Sequence, residues 1–595
     1  MFARTNIVEK KNIAWNFPSD LSEGNLQCFE RKRWVNKGGN QEVYPLKLFK
    51  PTCLEHLIYI IQSAEKDGCR IKAVGSRHAW SDVAMSTDYM IDTHGLNAIL
   101  PIEKEMDVID SQKLANILDD DQEETIFQVE GGIKIRDLNN ALFERNLALL
   151  NMGGFDEQTI VGAASTSTHG TGVTLAPLCD VILSLTLVTT CGEIYRIEPT
   201  NGITHREQFI SQYPHIHLIK NDEIFHSVGV SLGTMGIIYS VIIKVRKSYY
   251  LNENRIMTTW DEVKKKLREN VMNNYRHYDL IVNPYEINGQ RNVIVTTKHI
   301  CDPPGAFAGY FKTHRGFVSD FLGMFPTLAT FSGWLARKFL DMFPKATPST
   351  IRAGLRLLVH KEFKDRSYKV LNLGAANYIR GCSAELAIPV DKEHKYLDSV
   401  EEIFRVAAHS VEFGNQYLTS PIALRYVKAS KHYLSMMHEL PNGPGIRSGE
   451  KVETFCLIEL PIMSFSIGGL EIHERIEKCM YTFNARPHWG QVNFISGSHI
   501  NINELYTKLD DWKQVFYYFN SKFTFSNEFT YRCGFDHQIQ SHKPSIDAHA
   551  LMAIEKAKNS AFLGAYIHPL HDIYLESAKP ESGWSPIHKD PKTMP

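Results

Sequence analysis

Short apolar runs punctuated by glycine dominate the first half of the chain. Ile71-Lys72-Ala73-Val74 and Tyr89-Met90-Ile91-Asp92 read as strands, and between them Gly75-Ser76-Arg77-His78-Ala79-Trp80-Ser81-Asp82 reads as a tight turn presenting one histidine. Residues 53–64 have helical spacing, as have residues 135–146, where Ile135, Leu138, Leu142 and Phe143 recur on one face. Residues 125–129 alternate as a strand ending at Gly131-Gly132, and 181–190, 193–197 and 237–245 are rich in β-branched residues. Thr190-Cys191-Gly192-Glu193 predicts an antiparallel hairpin, and no clean strand–helix–strand alternation is present. Further on, 279–282, 293–297, 383–389, 424–427 and 453–460 read as strands separated by helical and irregular stretches.

These patterns divide the chain into a polar lead-in (1–42), an α+β domain (43–250), a second domain of sheet and inserted helices (251–480), a shorter segment (481–535) and a tail of unassigned role (536–595). A chain of 595 residues is too long for one core, so more than one domain is expected. Lys+Arg 65 against Asp+Glu 67 leaves a net charge of −2. No global field then favours nucleic acid, and any anion must be held by a local site. Ten cysteines are scattered singly without a C-x-x-C pair, which favours a reducing compartment. The N-terminus lacks the apolar core of a secretory signal, so a cytoplasmic setting is expected. The acidic run 119–124 reads as a solvated turn.

The apolar stretch 317–343 is broken by Asp320, Pro326, Arg337, Lys338 and Asp341. Its uncharged part, 321–336, is shorter than the ~20 residues of a spanning helix. Its aromatics, Phe317, Phe321, Phe325, Phe331, Trp334, Phe339 and Phe343, read first as a buried helical hairpin. The sharper alternative is a membrane-surface patch or an apolar lid.

Three segments carry the candidate chemistry: residues 73–79, 151–172 and 231–238. Each is dense in Gly, Ala, Ser and Thr, which leaves backbone amides and hydroxyls free to approach a diphosphate. No G-x-G-x-x-G sits between a strand and a helix, and no P-loop is present. No H-E-x-x-H or Cys/His cluster suggests a metal, and the His215/His217 pair reads as surface or core.

In order, and together with Arg486-Pro487-His488-Trp489-Gly490 and Phe525-Ser526-Asn527-Glu528-Phe529-Thr530, these segments resemble the vanillyl-alcohol-oxidase (PCMH-type) FAD-binding flavoproteins, most of all their aldonolactone and alditol oxidase branch. The resemblance implies an α+β fold: a two-subdomain FAD-binding domain over 43–250 and a sheet-and-helix substrate domain over 251–480, with 481–535 packing on the flavin side. It implies that His78 carries the flavin 8α-methyl through a ring nitrogen, and that Ala73, Val74, Gly75, Ser76, Arg77 and Ala79 wrap the pyrophosphate. It places Gly154, Thr159, Gly162, Thr166, Ser167, Thr168 and His169 along the flavin and ribityl chain, and Ile237 by the adenine. Gly153 falls over the flavin edge, where alanine is associated with dehydrogenases, so glycine implies an open path for O2; the plain alternative is a glycine kept for its turn.

On the substrate side, Pro421-Ile422-Ala423-Leu424-Arg425 resembles the family's strand with a Glu-x-Arg pair. Arg425 is kept, a fixed cation able to stabilise a developing alkoxide. The glutamate is replaced by Ala423, and the lysine that often follows His-Trp-Gly by Gln491. Those losses shift the expectation toward a less polar alcohol. Glu385 and His488 are the candidate bases; Glu385 reads equally as a carboxylate on a solvent face, and His488 more as an orienting group. The implied activity is oxidation of a CH–OH group of a small alcohol or lactone by hydride transfer to covalent FAD, with O2 as acceptor. A same-fold dehydrogenase, a cholesterol-oxidase-like enzyme and a non-catalytic flavin-binding protein are the alternatives.

Overall fold

The computed structural model describes residues 26–118, 123–304, 315, 326–441, 445–463, 466–497 and 500–536. Most of the lead-in, the middle of the acidic run, Phe317, Phe321 and Phe325, and the tail from 537 onward lie outside the described residues.

The first sheet runs in the order Gln27–Glu30, Lys47–Lys50, Tyr89–Asp92, Ile71–Val74. The strands predicted to flank the histidine turn are neighbours, but parallel, with Ile71 opposite Tyr89 and Val74 opposite Asp92. A parallel pair cannot be closed by a tight turn. Residues 75–88 therefore cross over as a longer loop with a 3-10 turn at Asp82–Ala84, leaving the backbone after Val74 open at the sheet's end. The helix Leu54–Asp67 covers the sheet with Leu57, Ile58, Ile60, Ile61 and Ala64, and stops at Gly68 (φ 66), whose N–H donates to the Ala64 and Glu65 carbonyls.

In the second sheet, Ile237–Lys247 lies between Glu124–Glu130 and Ile182–Val188, and Ile194–Glu198 follows antiparallel through the predicted turn. The third sheet has eight strands, in the order His360–Arg366, Tyr250–Thr259, Asn292–Cys301, His277–Val282, Ile422–Lys428, Thr454–Met463, Gly381–Pro389, Arg486–Pro487. Successive side chains on a strand face opposite ways. Leu280, Leu386, Ile388, Leu424, Tyr426, Ile458 and Leu460 accordingly pack in one core with helices Trp260–Arg268, Tyr396–Gly414 and Gly469–Met480. Each such burial stabilises by about 1.5–3 kcal/mol. The intervening Asp279, Ile281, Ser383, Glu385, Ala423, Arg425 and Glu459 line a cavity on the other face.

Residues 481–535 are woven into the rest. Arg486–Pro487 is the edge strand beside Gly381–Pro389. Trp489, Tyr506, Trp512, Phe516, Phe529 and Phe535 then enter the core that holds Leu185, Val228 and Val230. Pro326–Met342 is a helix, but the buried hairpin is not what forms there. Phe331, Trp334, Leu335, Phe339, Met342 and Phe343 are exposed on it and just beyond it. Among the described residues no helix is long and apolar enough to cross a membrane.

Candidate functional site

One cavity of 1230 Å³ is lined by all three small-residue segments and by the polar face of the third sheet. The three segments share a backbone device. Arg77 (φ 62), Ser167 (φ 61) and Leu232 (φ 57) are non-glycine residues in the left-handed region, one in each segment. Such residues persist only where their surroundings hold them.

The holding contacts are visible. Lys37 N–H donates to Arg77 O at 2.8 Å. Asn36 donates to Ala79 O at 2.8 Å, while Asn40 and Gln41 donate to Trp80 O at 2.8 and 3.0 Å. The lead-in thus ends as a clamp on the His78 loop, a role its composition did not betray. Below the loops, Lys72 donates to the carbonyls of Leu232 and Gly233 at 3.1 Å each and to Phe525 O at 3.4 Å. Burial pushes its ammonium down to about 7. Gly75 is required by close approach: a Cβ there would lie 2.2 Å from Thr159 Oγ1.

His78 sits 4.3 Å, ring to ring, from Phe155, and its Nε2 is buried without a hydrogen-bond partner. Burial first, then the neighbouring Lys37, Lys134 and Arg77 charges, hold its pKa down to about 3, so the imidazole is neutral. Ala73, Val74, Gly75, Ser76, Arg77, Ala79, Gly153, Gly154, Thr159, Gly162, Thr166, Thr168, His169 and Ile237 all line the same cavity. Ser167 departs from expectation. Its left-handed backbone turns the hydroxyl away to Ser435 Oγ at 2.7 Å, and the residue is fully buried outside the lining.

Glu385 is not on a solvent face; its side chain is 2% exposed. Oε1 accepts from Arg425 Nη1 at 3.1 Å, and Oε2 faces His169 Nε2 at 3.2 Å and Gln491 Nε2 at 3.1 Å. His169 Nδ1 lies 2.8 Å from Gly170 O, so both ring nitrogens face acceptors, the arrangement a doubly protonated ring satisfies. Burial alone would raise the Glu385 pKa, but His169 and Arg425 outweigh it and pull the carboxyl down to about 2. Arg425 is fixed a second time by Glu459, Nη2 to Oε2 at 2.5 Å. Against the cost of burial, Glu459 and Glu385 push its pKa above the ordinary value. His488 Nδ1 accepts from Gly490 N–H at 3.0 Å, which leaves the ring proton on Nε2 as a donor. Burial holds its pKa down to about 4.

The His-Trp-Gly segment ties the two walls together. Ser81 donates to Trp489 O at 2.6 Å, and the N–H groups of Trp80, His488 and Val492 donate to Gly490 O, Glu385 O and Ser383 O. Glu459, Lys72 and the Asn36–Gln41 clamp went unread in the sequence, because each acts through contacts distant along the chain. The loss of polarity expected from Ala423 is also corrected: the adjoining strands line that face with Asp279, Glu385 and Glu459.

Residues 45–198 match the family described as FAD binding domain, and residues 241–533 match D-arabinono-1,4-lactone oxidase. The chain is 26% identical over 500 residues to an L-gulono-1,4-lactone dehydrogenase of Mycobacterium tuberculosis, covering 84% of this chain and 98% of that protein. It is 26% identical over 298 residues to the L-gulonolactone oxidase of Bos taurus, covering 50% of this chain and 58% of that one. Among solved structures, a solvent-stable cholesterol oxidase superposes with a TM-score of 0.64 at 13% identity, covering 87% of this chain and 98% of that one. The cavity fits FAD: an orphaned buried imidazole nitrogen, a lining of glycine and small hydroxyl residues, and a size suited to an extended cofactor. With the two matched segments in tandem over this cavity, the chain belongs to the FAD-dependent oxidoreductases of the aldonolactone oxidase type.

Proposed function

We propose that this protein oxidises the CH–OH group of a polyhydroxylated small molecule, a sugar lactone or polyol, with FAD attached at His78 and O2 as the final acceptor. The observation that carries this reading is the Glu385–Arg425–Glu459 cluster, which faces the same cavity as the unpartnered His78 nitrogen. Bound FAD supplies the acceptor for the substrate's hydride. The chain supplies placement and charge. The three loops hold the dinucleotide through backbone amides, and His78 is neutral and free at Nε2 to make the link. Arg425 presents a fixed cation to the substrate oxygen, the His488 Nε2–H presents a donor, and a carboxylate takes the hydroxyl proton.

The charged sheet face favours a substrate rich in hydroxyls over an apolar alcohol, and the lactone-oxidising relatives agree with that preference. O2 is supported by Gly153: a Cβ there would lie 3.2 Å from His169 O and 3.5 Å from Thr168 Cγ2, so an alanine would fill space that glycine leaves open. The exposed rings of Phe331, Trp334, Phe339 and Phe343, with Lys338 and Lys345 beside them, support peripheral contact with a membrane surface.

The test has two parts. On a denaturing gel the wild type should show a fluorescent flavin band that His78→Ala abolishes. Anaerobic mixing of the holoenzyme with a panel of lactones, polyols and sterols should bleach the flavin with the first two classes and not the third. A wild type that no alcohol bleaches would identify a flavin-binding protein without turnover.

A further inference from the structure

The resemblance places a glutamate two residues before Arg425, and this chain has Ala423 there. The strand register shows what stands beside it. Ala423 on Ile422–Lys428 lies directly opposite Glu459 on Thr454–Met463, and Glu459 in turn lies opposite Glu385 on Gly381–Pro389. Directly opposed residues of an antiparallel pair project from the same face, with Cβ atoms about 4.5–5.5 Å apart. Glu459 therefore projects one strand over from the missing side chain, and its Oε2 holds the Nη2 of the same Arg425 at 2.5 Å.

We infer that Glu459 is the group that accepts the substrate's hydroxyl proton, replacing across the strand pair the carboxylate absent at Ala423. This rests on the proposed oxidation. In that step the O–H bond breaks and its proton passes to a Glu459 oxygen. The C–H bond breaks and its hydride, carrying two electrons, passes to bound FAD, and the substrate carbon becomes a carbonyl.

The other titratable groups on the cavity are less suited to the task. Both Glu385 oxygens are engaged, its side chain is 2% exposed, and its pKa of about 2 makes it a weak acceptor at neutral pH. Asp279 is held by Lys298 through both oxygens, at 2.9 and 3.4 Å. His488 already spends Nδ1 on Gly490 N–H, so its cavity-facing chemistry is that of a donor. Both His169 nitrogens are engaged, by Gly170 O and Glu385. Glu459 is bound through one oxygen, lines the cavity and keeps 17% of its side chain exposed. Gln491 adds a second acceptor, since its Oε1 is buried without a partner while its Nε2 serves Glu385. Glu459 and Gln491 together supply acceptors where the resemblance places a glutamate and a lysine, the pairing suited to neutral hydroxyl donors.

The experiment is anaerobic stopped-flow reduction of the flavin in wild type, Glu459→Gln, and the double variant Ala423→Glu/Glu459→Ala. Each is checked first for an unchanged flavin spectrum. The isosteric Glu459→Gln keeps a hydrogen bond to Arg425 and tests chemistry rather than folding. The reduction rate should fall about 10²–10⁴-fold with substrate affinity little changed, and the acid limb of the rate–pH profile should vanish. The double variant, with its carboxylate moved to the opposed position, should recover at least about tenfold over Glu459→Ala. If wild type is bleached and Glu459→Gln reduces within about threefold of it, the assignment of Glu459 is wrong and the proposed oxidation stands. If wild type is bleached by no lactone or polyol, the proposed oxidation fails and this assignment with it.

Discussion

Replacing Glu385 with glutamine removes the charge that His169, Arg425 and Gln491 converge on while keeping the shape. The wild-type carboxyl is held at about 2 against an ordinary 4.5. That gap of about 2.5 pH units, at about 1.36 kcal/mol per unit, is on the order of 3 kcal/mol. The sign follows from proton uptake: with the folded pKa depressed, the unfolded chain binds the extra proton as pH falls. The stabilisation is therefore whole above pH 4.5 and is lost as pH drops through about 2. With roughly 2.1 cal/mol/K of unfolding entropy per residue over roughly 500 structured residues, 3 kcal/mol lowers the melting temperature by about 3 °C. Thermal melts of wild-type and Glu385→Gln holoenzyme, compared at pH 7 and pH 3.5, should show that difference shrinking to roughly 2 kcal/mol at the lower pH. Equal melting temperatures at pH 7, or a gap that widens on acidification, would refute the view that Glu385 is an ionised anchor.

Gly153→Ala should slow reoxidation of the reduced flavin by O2 at least about tenfold while anaerobic reduction stays within about threefold, read by stopped-flow in two half-reactions. Asn36→Ala removes the bond to Ala79 O and should cost about 1–3 kcal/mol at the loop, seen as a lower fraction of gel-fluorescent protein. Lys72→Met strips the donor from the Leu232, Gly233 and Phe525 carbonyls and should weaken FAD retention on gel filtration as well as thermal stability. Phe331→Ser/Trp334→Ser should lower co-sedimentation with anionic vesicles; a wild type that stays in the supernatant at low salt would remove the membrane reading.

What the chain discloses in advance is local. Ile71–Val74, the histidine after it and the small-residue run 151–172 announce themselves because turn chemistry and side-chain period act over a few residues. Parallel pairing of Ile71–Val74 with Tyr89–Asp92 was not legible, since it depends on a strand partner and not on the turn. The same limit hid Glu459: its strand was apparent in 453–460, but its position opposite Ala423 is a register, set by hairpins and a core far along the chain. Ser167 misled for the opposite reason. It belongs to a matching motif, yet its left-handed backbone reverses the side chain. The aromatic run 331–343 resembled a core because composition carries no sign for which way a helix faces.

The bonds from Ile71 N–H to Thr524 O and from Lys72 Nζ to Phe525 O set an order of events during synthesis. The floor beneath the cofactor loops is completed by residues made more than four hundred positions later, and the wall opposite His78 by residues 381–491. Contacts of such separation form last. The nascent amino-terminal half meets the ribosome exit with its dinucleotide cradle unfinished, so loading of FAD waits until residue 525 has emerged, and a chain stalled before that point carries His78 without the walls that aim it.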